Sequence, residues 1–430
     1  MKNLKKVVII APYFNNDSHV GVYRIKRFIK WLKLKDYEIV LVSAGSSDNL
    51  LRHKDTIEIT IKDPLGLNIN SKDQKVSLNV KKRKPNALRR KIVYWLFTPD
   101  PTIVWSRRVM KSKLVLKYIA DASFVLSSSP PESVHLAAAK LAKKIKASFI
   151  MDMRDGWIDE PLKPILKKSG IRNWLETKME KKLLKQAKII FVSSDNWRDS
   201  LLTRVKCTHK KVITLTNAYP EAYLHLFDSK TSKKISDKRE KHITLLHAGK
   251  FTESRGTQKP ELLLIPLLEG IKTENNLSGT LILMGYLNES DKKTIGAFSE
   301  NFKKSGWSIE IWDSVPREKM MLLLKKADGL LLLSVSEAAI PSKLFEYLMA
   351  KKPILAVTPQ NSSVWNICKP LPQISVIDSN FSKDDSLKNE LIKYFYSCKN
   401  GCYNFIVPQE FTEGYLGQKY LRALSEISST

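Results

Sequence analysis

In the stretch IPSKLFEYLMAKKPIL (Ile340–Leu355) a single acid, Glu346, falls in the early turns of a short helix. Pro341 suits a first turn, where a missing N–H costs nothing, and Lys351, Lys352 and Pro353 end the helix before a strand-like ILAV. A carboxylate there is favoured by the helix dipole and accepts two hydrogen bonds from a diol such as ribose; ordinary charge placement at a helix start explains it equally well. Lys250 and Arg255-Gly256 follow the strand-like ITLLHAG, whose Gly249 lets a backbone approach a ligand. Cations where a helix begins suit a diphosphate, and the alternative is a solvated basic loop. MDMRDGW (Met151–Trp157) crowds Asp152, Arg154, Asp155 and Trp157 at another strand end. Carboxylates flanking an arginine either orient a polar acceptor or form an internal ion pair. His135 lies in the first turns of the helix within SSSPPESVHLAAAKLAKK (Ser127–Lys144). Its pKa suits proton transfer, although a lone histidine there is more often structural.

Several chemistries lose their motifs. There is no P-loop, H-E-x-x-H, G-x-S-x-G elbow or paired C-x-x-C. The four cysteines (Cys207, Cys368, Cys398, Cys402) are scattered, which predicts incidental thiols in a reducing compartment. Hydrophobic residues make up 43% and charged residues 27% of the 430, as in a soluble globular protein with room for two or three domains. No signal peptide is evident, and no apolar run approaches the roughly 20 residues needed to cross a bilayer. The net charge of +30 is unevenly shared: residues 1–220 hold 45 Lys+Arg against 19 Asp+Glu, and residues 221–430 hold 28 against 24. Two halves with such different surfaces meet different partners.

Short apolar runs alternate with helical stretches throughout. KVVII, YEIVLVS, ASFVLSS, ASFIMDM and KIIFVSS read as buried parallel strands in the first half, with an amphipathic helix over Val22–Lys35. Asp228–Lys241 is polar and lysine-rich and reads as a linker. Alternation then resumes through ITLLHAG, a helix over Lys259–Ile271, GTLILMG, WSIEIWD, a helix over Arg317–Lys326, GLLLLS and PILAV. The expected architecture is α/β: two Rossmann-like domains with a crevice between them and ligands outside the strands' carboxyl ends.

With these residues in place, the chain resembles the retaining glycosyltransferases of family 4, which have the GT-B fold, and in particular the subgroup acting in bacterial surface-polysaccharide assembly. The resemblance runs in order through GVYRIKRFIKWLKLKDYEIVLVS, SSSPPESVHLAAAKLAKK with MDMRDGW, TNAYPEAY, AGKFTESRG, SVPREKMMLLLKKADGLLLLS and IPSKLFEYLMAKKPILAV. It implies an acceptor-binding domain at 1–220, a linker at 221–241, a nucleotide-sugar domain at 242–408, and a C-terminal helix at 409–430 packing back on the first domain. Lys250 and Arg255 would hold the donor diphosphate and Glu346 the ribose. Gly21, Gly249, Glu337, Ile340, Ser342 and Lys343 would line the donor, with the base near Trp312–Val315. Arg154 and Asp155 would act at the reacting centre on the acceptor side, flanked by His135, Asp152 and Trp157. Two departures stand out: Ala338 occupies a family acid position, with Glu337 one place off, and Arg154 replaces the usual histidine. No metal or other cofactor is expected.

The resemblance further implies a UDP- or GDP-sugar as donor and a glycan or polyprenyl-linked glycan as acceptor, met at the anionic cytoplasmic face of the membrane. Two stretches suit that surface. Tyr23–Lys35 interleaves cations with Ile25, Phe28, Ile29, Trp31 and Leu32, and Lys81–Phe97 sets seven cations beside Tyr94, Trp95 and Phe97. The alternative for both is core aromatics with solvated lysines. Two rival functions are a catalytically inactive GT-B scaffold, suggested by Ala338, and a nucleic-acid-binding protein, suggested by the pI of about 9.7. The basic half holds no recognisable nucleic-acid module, so no nucleic-acid partner is expected.

Overall fold

The computed structural model describes residues 5–16, 21–68, 96–159, 170–205, 211–227, 242–251, 257–274, 277–382, 384–401 and 404–428. The linker stretch 228–241, Arg255 with Gly256, residues 81–95 of the second basic stretch, and Cys207 with Cys402 lie outside the described residues. The chain divides into two compact units, Met1–Leu215 with Leu416–Thr430, and Thr216–Tyr415.

The first unit is built on an eight-stranded sheet. Its elements run β1 (Lys6–Ile10), α1 (Gly21–Lys33), β2 (Glu38–Gly45), β3 (Asn49–His53), β4 (Thr56–Lys62), α2 (Ile103–Lys111), α3 (Lys113–Ile119) and β5 (Phe124–Ser129). They continue through α4 (Ser133–Ile145), β6 (Ser148–Met153), α5 (Gly170–Gln186), β7 (Ile189–Val192), α6 (Asp195–Val205) and β8 (Val212–Thr214). The strand order is β3-β4-β2-β1-β5-β6-β7-β8, all parallel except the edge strand β3. Central strands such as Val7–Ile10 and Phe124–Ser129 are buried along their whole length, the signature of a parallel sheet covered on both faces.

α1 corrects one expectation. Ile25, Phe28, Trp31 and Leu32, in a stretch read above as suited to a membrane surface, follow the alternative given there: they are core, each no more than 4% exposed. Tyr420 stacks on Phe28 at 4.8 Å and sits 5.6 Å from Trp31. Lys26, Lys30 and Lys33 are exposed on its opposite, polar face, as in an ordinary amphipathic helix, whereas Arg24 is buried with the apolar residues.

The second unit repeats the plan with six parallel strands. After a 3-10 turn at Glu221–Leu226 come β9 (Ile243–Ala248), α7 (Glu261–Thr273), β10 (Gly279–Met284), α8 (Glu289–Lys304), β11 (Trp307–Trp312) and α9 (Arg317–Lys326). Then follow β12 (Gly329–Leu333), α10 (Ser342–Ala350), β13 (Ile354–Thr358), α11 (Ser363–Cys368), β14 (Ile374–Asp378) and α12 (Asp385–Asn400), after which α13 (Glu413–Ser428) belongs from Leu416 onward to the first unit. The order β11-β10-β9-β12-β13-β14 reverses direction between β9 and β12. Along β12, Leu330 and Leu332 join one apolar cluster while Leu331 and Leu333 join the other, so alternate side chains fill cores on both faces. In such a sheet the reversal opens a place for a ligand at the carboxyl ends of the flanking strands.

Candidate functional site

At that reversal in the second unit, β9 is followed by Gly249 with φ +143° and β10 by Gly285 with φ +141°. Gly249 N–H donates to Met284 O at 2.7 Å and Gly285 N–H to Trp312 O at 3.0 Å, which presses the two strand ends together. A Cβ on Gly285 would lie 2.7 Å from Gly249 O, so only glycine fits. Over Gly249 lies Lys343 from the first turn of α10, its Nζ 3.0 Å from where a Cβ would stand. Among the described residues, no hydrogen bond or ion pair engages the Lys343 ammonium. Burial lowers its pKa to about 8, and Glu346 opposes that shift. α10 begins at Ser342 behind an extended Pro341, with no side chain capping it, so its first N–H groups face the same end as Lys343.

Glu346, one turn further, is 7% exposed. Arg317 from the start of α9 donates Nη2–H to its Oε1 at 2.6 Å. Burial raises the Glu346 pKa, against the lowering effect of Arg317 and Lys343. The carboxylate keeps acceptor capacity beyond that one bond. His247 Nδ1 donates to Leu331 O at 2.9 Å, and its ring stacks on Phe251 at 4.5 Å. Burial first, and Lys343 second, hold His247 neutral, far below its ordinary pKa. Tyr347 OH accepts from Ala248 N–H at 2.9 Å and ties α10 to the end of β9. Lys250 Nζ lies 5.4 Å from the Tyr286 ring centroid.

The remaining donor-side residues lie around the approach to α10. Ile340 is 9% exposed, within the apolar cluster, and Ser342 is half-buried. Glu337 is exposed, and its carbonyl accepts from Ser363 N–H at 2.8 Å. Trp312 and Val315 are half-buried against the apolar cluster. Sequence reasoning passed over Arg317 and His247; only the position of Arg317 in SVPREKM, beside the expected base site, hinted at it.

The strand ends of the first unit hold a denser network. Arg24 of α1, which no motif singles out, pairs with Asp152 through bonds of 2.7–3.1 Å. Ser128 Oγ donates to the same carboxylate at 2.6 Å, and Asp152 is 0% exposed. Arg154 donates from Nε to Ser129 O and from Nη2 to Pro130 O, both at 2.9 Å, with its guanidinium 5.2 Å from the Tyr13 ring centroid. A Cβ on Gly21 would meet Arg154 Nη1, so the glycine at the head of α1 makes room for the arginine. Burial of His135, opposed by Asp152, depresses its pKa to about 3, and Ser127 Oγ lies 2.7 Å from its Nδ1. Trp157 is buried and donates Nε1–H to Glu176 at 2.9 Å. Asp152, His135 and Trp157 thus sit inside the unit, held by other side chains. Asp155 differs: it is half-buried, and no hydrogen bond or ion pair engages it among the described residues. Asp100, from a distant loop, accepts from Ser133 N–H and Oγ at 2.8 Å and so caps α4; burial and then Glu132 push its pKa up to about 6. Nothing in the sequence signals that cap, because its partners are 33 residues apart.

No family profile matches the chain, and no curated protein sequence does. Solved structures do. OtsA in its apo form aligns over 98% of this chain and 99% of its own, at 12% identity and a TM-score of 0.62. Anabaena Alr3699/HepE in complex with UDP-glucose aligns over 98% and 99%, at 12% identity and 0.59. The apo lipopolysaccharide outer core galactosyltransferase WaaB aligns over 98% and 99%, at 12% identity and 0.58. The fold is the GT-B fold, an α/β architecture of two Rossmann-like domains with parallel sheets.

Proposed function

We propose that this chain is a retaining glycosyltransferase of the family 4 type that moves a sugar from a UDP- or GDP-sugar to a glycan or lipid-linked glycan in bacterial surface-polysaccharide synthesis. The observation that carries the reading is Lys343, an ammonium with no acid bound to it among the described residues, pressed on Gly249 with Glu346 one turn away. A cation at a glycine-lined helix start suits a diphosphate, and a buried carboxylate beside it suits a ribose diol. The fold shared with HepE, whose structure holds UDP-glucose, supports a nucleotide-sugar guest, and the likeness to WaaB supports a glycan acceptor.

In this reading the second unit holds the donor through Lys250, Lys343 and Glu346, with Arg255 completing the phosphate clamp. The bond from the sugar C1 to the diphosphate oxygen breaks, and the acceptor oxygen bonds to C1 on the same face. The acceptor's proton passes to the leaving phosphate, so no resident cofactor takes part. Cations aimed at the leaving oxygens stabilise the charge that grows there. The first unit holds the acceptor, with Asp155 as the uncommitted carboxylate that positions its hydroxyl. A lipid-linked acceptor places the protein at the anionic cytoplasmic face of the membrane.

Calorimetric titration with UDP and GDP tests the donor reading directly. Binding of one of them by the parent, lost on Lys250→Ala/Lys343→Ala, is the expected result. Equal titration of parent and variant would assign the basic residues to an ordinary solvated surface.

A further inference from the structure

We propose that the outward face of α5 is the surface through which this chain docks on an anionic membrane; the inference rests on the membrane partner proposed above. α5 is built inside out. Its inward side chains over the first eleven residues include three charged ones: Arg172, Glu176 and Glu180 are 4%, 0% and 0% exposed. Arg172 donates to Glu176 Oε1 at 2.8 Å and to Pro99 O at 2.9 Å. Trp157 donates to Glu176 Oε2 at 2.9 Å, and Arg204 to Glu180 Oε1 at 3.2 Å. Only Leu183 and Leu184, near the other end, bury apolar side chains.

The apolar residues of the amino-terminal half face outward instead. Ile171, Trp174 and Leu175 are 66%, 55% and 41% exposed. Lys178, Lys181, Lys182 and Lys185, all exposed, follow them. These positions recur at three- and four-residue steps and form one stripe, apolar at one end and cationic at the other. Both glutamates of α5 point inward, so no acid interrupts the stripe. The Lys178 ammonium lies 3.6 Å from the centroid of the Trp174 ring, joining the two ends.

A surface with that order matches a lipid interface: the tryptophan and aliphatic groups reach the acyl boundary while the lysines meet anionic headgroups. A nucleic acid offers no apolar slot for Ile171 and Leu175. A second copy docked with its helix parallel would set four lysines against four, and one docked antiparallel would press those lysines onto apolar side chains with no acid on the stripe to answer them. The unit that carries α5 also carries most of the excess positive charge.

Sedimentation of the full chain with vesicles of phosphatidylcholine alone, or mixed with phosphatidylglycerol, tests the assignment. The parent should bind only the mixed vesicles. Lys178→Gln/Lys181→Gln/Lys182→Gln/Lys185→Gln should lower the partition coefficient by about 600-fold, since each lysine near such a surface contributes roughly fivefold. Ile171→Ser/Trp174→Ser/Leu175→Ser should weaken binding and make the remainder more salt-sensitive. Melting curves matching the parent's confirm that both variants fold. Quenching of tryptophan emission by lipids brominated in the acyl chain, reduced in Trp174→Phe, reads insertion with little disturbance. If the parent binds mixed vesicles and the α5 variants bind equally well, α5 is not the docking face while the membrane reading survives. If the parent binds an RNA homopolymer but no anionic vesicle, both fall.

Discussion

The two units carry the same kind of sheet and both gather charged side chains at strand ends, yet they dispose of those charges differently. In the first unit the carboxylates and arginines satisfy each other and the backbone: Asp152 with Arg24 and Ser128, and Arg154 with two carbonyls. In the second unit two glycines bring the strand ends together, and an ammonium lies over one of them with no bond to another described side chain. A closed network of that sort defines a conformation, whereas a cation held against a glycine-lined strand end is arranged for something else. Burial by itself does not identify a site; what matters is whether the buried group has already been answered.

The largest effect should come from breaking the closed network. Arg24→Ala leaves the Asp152 carboxylate buried without its cation, a loss of about 3–5 kcal/mol of stability for a pair of this kind. Urea unfolding at neutral pH measures it, and Arg24→Met/Asp152→Leu should recover most of the loss because no charge is left stranded. A loss below about 1 kcal/mol for Arg24→Ala would be the value of a surface pair and would erase the contrast between the units.

Glu346 comes next. Its loss should weaken UDP or GDP binding by about 1.5–3 kcal/mol, the contribution of hydrogen bonds to a charged group. Arg317→Met separates two roles, since it removes the carboxylate's internal partner and leaves its ligand-facing capacity. Donor affinity measured by calorimetry should therefore fall much less in Arg317→Met than in Glu346→Ala. The reverse ranking would make Glu346 a member of a closed pair, like Asp152.

Much of this was legible in the chain and some of it was not. The parallel strands showed because apolar runs such as KVVII and GLLLL are buried on both faces, and the helix Arg317–Lys326 begins and ends where the sequence places it. The antiparallel edge β3 escaped, because its residues are mostly exposed and carry little alternation. Arg24 looked like one more cation on a basic helix, and only its partner 128 residues away reveals its place. The outward stripe of α5 was hidden for a related reason. Its apolar residues lie outside at one end and inside at the other, so they cancel around the helix axis and leave no amphipathic signal. Periodicity reports faces that are uniform along an element, and pairing across the fold is invisible to it.

Lys343 supplies a pH test. Its native pKa is lowered to about 8 from an ordinary 10.5, so the unfolded chain holds this proton through a range in which the native chain releases it. On this account stability rises with pH between about 8 and 10.5, and below that window the native state carries the cost of a poorly solvated ammonium. Lys343→Met should therefore melt higher than the parent at pH 7, with the advantage shrinking above pH 8. A diphosphate favours the charged form, so UDP affinity should fall by up to about tenfold per pH unit above 8. Lys343→Arg should flatten that decline, because a guanidinium stays charged throughout. An affinity that falls equally in parent and Lys343→Arg would place the titrating group elsewhere.

The smallest effect on the fold, and the sharpest on the comparison, belongs to Asp155. It stands at the end of β6 three residues beyond Asp152, half-buried and unengaged among the described residues. If the first unit is closed everywhere except here, Asp155→Asn should change stability by no more than about 0.5 kcal/mol, as for a substitution that breaks no buried contact. The same variant should raise the acceptor KM several-fold and leave the UDP dissociation constant where it was, because the amide keeps the shape but loses the charged acceptor that orients a hydroxyl. Steady-state kinetics with both substrates varied, beside calorimetry with UDP alone, separates the two constants. Equal damage to both would mean that Asp155 supports the strand end rather than the acceptor, and the first unit would then hold no open carboxylate among its described strand-end residues.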